Sequence, residues 1–217
     1  MVIYIDIEGT DGCGKKTQTE LLHKHLTNLG KKCLLISFPN YASPSSALVK
    51  MFLGGEFGTD ANTIDAYQAS AFYSVDRVAT MAKINVNDYD YVIFDRYVPS
   101  NMIHQSARVK DKQELEELIS WIHEFEFGKM RLPRPDKILF LDVPVEVSLK
   151  LANARADLKN GQAHDIFEED KNHMYKAYEN AKYVAEKFGW ERIDCVENGK
   201  LKTIEEIHQD ILTKLNV

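Results

Sequence analysis

The sequence predicts an α/β domain, a five-stranded parallel sheet with helices on both faces. Two observations carry this expectation. Five short apolar runs, rich in β-branched and aromatic residues, recur along the chain at 2–7, 33–38, 91–95, 137–143 and 190–196. Between them, apolar residues fall at steps of three and four, the helical period. Continuous apolar strands alternating with helices imply a sheet buried on both sides. No repeat, low-complexity tract or Pro/Gly linker interrupts the 217 residues, so they read as a single domain over 1–217.

The elements follow in order. "VIYIDI" is the first strand, ended by Gly9. A helix starts near Lys15, with Leu21, Leu22, Leu26 and Leu29 on its apolar face, and stops at Gly30. "CLLISF" is the second strand, ended by Pro39, and "SSALVKMFL" a short helix before Gly54-Gly55. Residues 63–84 form a helix on the spacing of Ile64, Tyr67, Ala71, Val75, Val78 and Ala82. "YVIFD" is the third strand, with helices over 100–108 and 112–127. "KILFLDV" is the fourth strand and 145–156 a helix, followed by the polar loop "DLKNGQAHD". Residues 166–188 form a long helix, and "WERIDCV" the fifth strand. Thr203 and Glu206 have the spacing of a capping box for the last helix, whose buried face is Ile204, Ile207, Ile211 and Leu215.

Composition narrows the function. Hydrophobic residues are 44% and charged residues 28%, a globular balance, and the net charge is -6. That charge argues against a sequence-independent nucleic-acid binder, which needs a basic face. The apolar start is short, lacks a basic flank and contains Asp6, so it does not read as a signal peptide. No stretch reaches the ~18 apolar residues of a membrane span. Cys13, Cys33 and Cys195 are far apart and read as reduced thiols of a cytoplasmic protein. The seven histidines show no metal-ligand pairing.

"GTDGCGKKTQ" carries the chemistry. Gly9, Gly14 and Lys15 match the phosphate-binding pattern of Gly, four residues, Gly, Lys, then Ser or Thr. A lone match reads as a glycine turn. Here it follows a strand and opens a helix, where backbone N–H groups and the helix N-terminus favour phosphate. The loop Gly9, Thr10, Asp11, Gly12, Cys13, Gly14, Lys15, Lys16 and Thr17 therefore reads as an ATP-phosphate site, with Lys15 reaching the transferring phosphoryl group. Lys16 stands where a hydroxyl would face magnesium, and Thr17 comes one residue late.

"FDRY" ends the third strand. Taken alone it reads as a surface ion pair; beside a phosphate loop, Asp95 can hold magnesium or its waters and Arg96 can grip a phosphate. "VDR" at Val75 to Arg77 taken alone is a solvated helix charge pair.

The stretches "IEGTDGCGKKTQ", Phe38-Pro39, "FYSVDR" and "DRYVPSNMIHQ" occur together in one order, and the chain resembles the thymidylate kinases, nucleoside monophosphate kinases of P-loop fold. The resemblance spans nearly the whole chain. It implies ATP and magnesium as cofactors, dTMP as acceptor and a homodimer, with the apolar side of the third helix as the contact. It implies that Asp11 orients acceptor and metal, that Tyr73 stacks on the base, that Arg77 hydrogen-bonds the base, and that Arg96 holds the monophosphate. It places Asn101 and Gln105 on the nucleoside, keeps Ser100 at the family's spacing, and packs Phe38-Pro39 against the acceptor, often across a cis peptide. It also implies a lid, here about 155–165, that supplies positive charge; Arg155 and Lys159 are its candidates. The chain departs from the pattern in that lid, which lacks an arginine-rich run, and at Tyr41, where the family has an arginine.

Lys16 leaves three readings. Magnesium is held by nucleotide, water and Asp95, with Thr17 helping; Lys16 points away along the helix; or catalysis is lost. The intact Lys15, Asp95 and Arg96 favour the first two together. The alternatives are a kinase for another nucleoside or nucleotide, and a non-catalytic nucleotide-binding protein.

Overall fold

Five strands, β1 (Ile3–Glu8), β2 (Cys33–Ser37), β3 (Tyr91–Asp95), β4 (Lys137–Asp142) and β5 (Glu191–Asp194), form one sheet. They stand in the order β2-β3-β1-β4-β5, all parallel. The coordinates are a computed structural model that describes residues 1–58, 63–151 and 171–217. The helices are α1 (Lys15–Asn28), α2 (Ala47–Leu53), α3 (Ala66–Met81), α4 (Val98–His104), α5 (Lys112–Ile122), α6 (145–151), α7 (Lys171–Phe188) and α8 (Ile204–Leu215). The expected end of the sixth helix and the lid, with Arg155 and Lys159, lie outside the described residues.

Two cores sandwich the sheet. On one face Ile5, Ile7, Ile93 and Leu139 meet Leu22 and Leu26 of α1 and Ile207 and Ile211 of α8. On the other, Val92 and Phe94 meet Leu118, Ile119 and Ile122 of α5 and Val184 of α7. This is why the strands read as unbroken apolar runs.

Several boundaries differ from the sequence reading, each for a local reason. The helix expected over 63–84 spans Ala66–Met81, because Asp65 caps it and exchanges hydrogen bonds with Gln68. The one expected over 100–108 begins at Val98, with a proline in its first turn, and ends as a 3-10 turn over Ser106–Arg108. The helix expected to Phe127 leaves α geometry after Ile122 and continues as a π turn, His123–Lys129. The fifth strand stops at Asp194; Val196–Glu197 (β6) and Lys200–Leu201 (β7) form a separate hairpin. Its Asn198-Gly199 turn has φ of 50° and 75°, the primed-turn signal of a tight hairpin. The Thr203–Glu206 capping box at α8 forms as expected.

The topology positions the site. Ile7 and Ser37 both stand opposite Asp95 in the ladders. So the segments leaving β1, β2 and β3 emerge side by side at the carboxyl edge, where such sheets bind ligands.

Candidate active site

The segment leaving β1 is the glycine loop. A Cβ on Gly9, whose φ is 152°, would lie 2.7 Å from Cys13 Sγ and 3.0 Å from the Leu141 carbonyl oxygen. Only glycine lets the loop turn this tightly against β4. Gly14, at φ 97°, delivers the chain into α1. Lys15 is 5% exposed. Its Nζ donates to the carbonyl oxygens of Gly9 and Thr10, each at 2.7 Å, and lies 3.6 Å from Cys13 Sγ. Lys16 faces outward, its Nζ 3.9 Å from the Glu20 carboxylate on the helix surface. Thr17, in the first turn of α1, is half-buried.

Beside the loop lies a cavity of about 270 Å³. Nine residues singled out from the sequence line it: Asp11, Phe38, Pro39, Tyr73, Arg77, Arg96, Ser100, Asn101 and Gln105. They come from four separate stretches of the chain. The Phe38-Pro39 peptide is cis.

At one end Arg96, at φ 66°, pairs through Nη2 with Asp11 and through Nη1 with His104 Nε2, 3.0 Å away. Burial opposes the charge of Asp11, yet Arg96, His104 and Lys15 hold its carboxyl well below the usual range. Burial, with the charges of Arg96 and Lys15, pushes the His104 pKa down to about 3 against the pull of Asp11. His104 is therefore neutral, and its Nε2 accepts from Arg96. Arg96 stays charged, because Asp11, Glu8 and Asp95 outweigh its desolvation.

Glu8 underlies this end. It is fully buried and accepts from the Tyr97 N–H at 2.9 Å and from the Ser100 hydroxyl at 2.9 and 2.8 Å. Burial raises its pKa, while Arg96 and Lys15 oppose the rise. Asp95 accepts from the Ser37 hydroxyl at 3.2 Å.

At the other end Arg77 is 2% exposed. Its Nε and Nη2 donate to the Glu126 carboxylate at 2.6 and 2.7 Å, and Nη1 donates to the Tyr97 carbonyl at 3.2 Å. Asn101 Nδ2 donates to the Ser70 carbonyl at 3.2 Å and to Glu126 at 2.9 Å. These donations fix the Asn101 amide, leaving its oxygen as the acceptor.

Sequence reasoning missed Glu8, His104, Arg108 and Glu126. Glu8 stood inside the quoted loop motif, where a carboxylate at the end of a buried strand was signal enough. His104 and Arg108 lie three and seven residues after Asn101, the same-face spacing of a helix. Glu126 had no signal, because its placement depends on the π turn. Tyr41, noted only as a departure, lines the cavity too.

The family model described as thymidylate kinase matches residues 7–211. The thymidylate kinase of Mycobacterium tuberculosis is 32% identical over 171 residues, 77% of this chain and 78% of that one. The "Probable thymidylate kinase" of Thermococcus gammatolerans is 32% identical over 217 residues, 98% of this chain and 95% of its own length. The solved thymidylate kinase of Candida albicans superposes with a TM-score of 0.74 at 23% identity, covering 99% of this chain and 91% of that one, which shows the shared P-loop fold. The chain belongs to the thymidylate kinase family.

Proposed function

We propose that this protein transfers the γ-phosphoryl group of ATP to dTMP, giving dTDP and ADP. The observation that carries the reading is the donor and acceptor pattern of the cavity. Arg77 is a fixed donor and the Asn101 oxygen a fixed acceptor, both anchored on Glu126. Thymine presents the complement, an O4 acceptor beside an N3–H donor. Cytosine presents the reverse and would leave buried polar groups unpaired.

The other roles follow from position. Tyr73 offers a ring face to the base. Arg96, oriented by Asp11 and His104, grips the monophosphate with its planar fork. The glycine loop and Lys15 hold the ATP phosphates, and Lys15 exchanges its two carbonyl partners for phosphate oxygens. Phosphoryl transfer asks chiefly for in-line positioning and surrounding positive charge. Ser100 hydrogen-bonds Glu8, so the segment after Arg96 is tied to β1. Arg155 and Lys159 are the lid's candidates for further charge.

The donors near the loop fit magnesium. Asp95, Thr17 and Asp11 offer oxygen, and this cation takes one or two carboxylates while keeping waters and phosphates as its other ligands. Lys16, turned to the outer surface, leaves that space clear. When bound, the ion would neutralise phosphate charge during transfer.

The protein assembles as a homodimer through α3 in this reading. Val75 on that helix is 50% exposed and Leu48 of the adjoining α2 is 37% exposed, an apolar flank suited to a second copy. Among the described residues no helix is long and apolar enough to cross a membrane. The free thiols Cys13, Cys33 and Cys195 support a reducing, cytoplasmic compartment.

A coupled ADP-release assay with ATP and magnesium tests the activity, using dTMP, dUMP, dCMP, dGMP and thymidine as acceptors and Lys15→Ala as control. Acceptor-dependent release, greatest with dTMP and abolished by the substitution, is the expected result. A flat trace from protein shown to bind ATP overturns it. Sedimentation at micromolar concentration, with Val75→Glu for comparison, tests the dimer.

A further inference from the structure

One cation of the cavity has no part in the scheme above. Arg108 closes the 3-10 turn that extends α4. Asn101, Gln105 and Arg108 follow one another at steps of four and three, so they form a single stripe along one wall. Arg108 ends that stripe. Its guanidinium joins three elements. Nη1 donates to Gln105 Oε1 at 2.7 Å, Nη2 donates to the carbonyl of Ile64 ahead of α3, and Cζ lies 5.3 Å from the centre of the Phe52 ring on α2. Arg108 and Gln105 line the cavity together with Leu53 and Tyr73.

We propose that Arg108 is a specificity-determining residue that closes the base end of the acceptor cavity against purine monophosphates and holds the Gln105 amide in one orientation. The inference rests on the nucleotide-acceptor reading of this cavity. Arg108 bonds the Gln105 oxygen, so the amide nitrogen of Gln105 is the group left to face the acceptor. A base that stacks on Tyr73 and pairs with Arg77 and Asn101 meets the Gln105–Arg108 end with its remaining edge. A six-membered ring ends there. A purine carries a fused second ring, and room for it requires moving a guanidinium that, among the described residues, is engaged by Gln105, the Ile64 carbonyl and the Phe52 ring face. Such a post is stiffer than an alkyl wall, because displacing it leaves a half-buried charge short of partners.

The test uses Arg108→Ala and Arg108→Lys in the full-length protein. Lysine keeps the charge and much of the volume but cannot span Gln105 and Ile64 with one planar fork. Steady-state kinetics with dTMP and dGMP are read beside calorimetric binding of each nucleotide without ATP. Thermal melting identifies a variant that has failed to fold. The expected result for Arg108→Ala is a dTMP KM raised about tenfold with kcat within about threefold. The preference for dTMP over dGMP in kcat/KM falls by at least about tenfold. Arg108→Lys raises the dTMP KM about fivefold and keeps the wild-type melting temperature. Gln105→Ala combined with Arg108→Ala adds little to the KM effect, since both changes release the same amide.

Unchanged selectivity in the folded variants overturns the inference, and so does a fall in kcat alone. The binding arm separates it from the kinase reading. Wild-type protein that binds dTMP in preference to dGMP but releases no ADP defeats the activity and leaves the role of Arg108 to the variants' binding. Wild-type protein that binds the two equally defeats the role of Arg108, whatever the turnover.

Discussion

Lys16 and Glu20 stand one helical turn apart on the outer surface of α1, with Nζ 3.9 Å from the carboxylate. The residue that breaks the loop pattern is thus engaged with solvent and a neighbouring acid. Lys16→Thr should leave kcat/KM for dTMP within about threefold of wild type, since an exposed i,i+4 pair contributes only about 0.3–0.5 kcal/mol. Lys15→Ala should lower kcat by at least about a hundredfold, the usual loss when one positioned donor is removed. The two single variants, compared at saturating ATP and several magnesium concentrations, check this. A large rise in activity from Lys16→Thr would mean that the lysine reaches the metal after all.

Glu126 binds Arg77 and Asn101 together, and all three are buried. Glu126→Gln leaves Arg77 buried without its counter-charge. The expected cost is about 3–5 kcal/mol in urea unfolding. Replacing both partners at once, Arg77→Met with Glu126→Leu, should destabilise less than Glu126→Gln alone, while abolishing dTMP binding. Equal unfolding midpoints for wild type and Glu126→Gln would show the pair to be energetically idle.

The five strands and the two glycine-flanked ends of α1 could be read directly, because a doubly covered sheet demands unbroken apolar runs and a phosphate loop demands glycine at fixed steps. The nine cavity residues could be named for a different reason, the likeness of whole stretches to a family. What stayed hidden was the side-chain pairing that gives those residues their direction. Arg77 and Glu126 are 49 residues apart and meet only because α5 loosens into a π turn, which no periodicity announces. The hairpin turn at Asn198-Gly199 went unread, because the apolar run ahead of it carried the expected fifth strand to Val196, past its end at Asp194.

His104 supplies a pH test. Its pKa in the folded protein is about 3, below the ordinary value of 6.5, so between those limits the unfolded chain binds more protons. The stability it contributes is present above pH 6.5 and is lost as pH falls toward 3. His104→Gln keeps a side-chain oxygen that can accept from Arg96 but does not titrate. The stability difference between wild type and this variant should change by at most about 1.4 kcal/mol per pH unit between pH 6.5 and 4, always against wild type as the pH drops. A difference that stays flat across that range would place the histidine outside the buried cluster.

The last helix depends on its start. Thr203 accepts from the Glu206 N–H at 3.2 Å, and Glu206 accepts from the Thr203 N–H at 2.7 Å. Thr203→Ala should cost about 1 kcal/mol and lower Tm by about 2–4 °C, with no change in KM for either nucleotide. Differential scanning calorimetry reads the first effect and initial rates the second.

The Arg77–Glu126 pair has one more implication, for how acceptor choice can drift or be engineered. In the proposed acceptor reading this pair also orients the group that meets the base, and it rivets α3 to the π turn, so a change of taste there arrives as a loss of fold. Variation is better tolerated where Gln105 and Arg108 stand, at the end of a short helix. Libraries meant to widen the range of nucleotides accepted should spend their diversity there and leave the rivet alone.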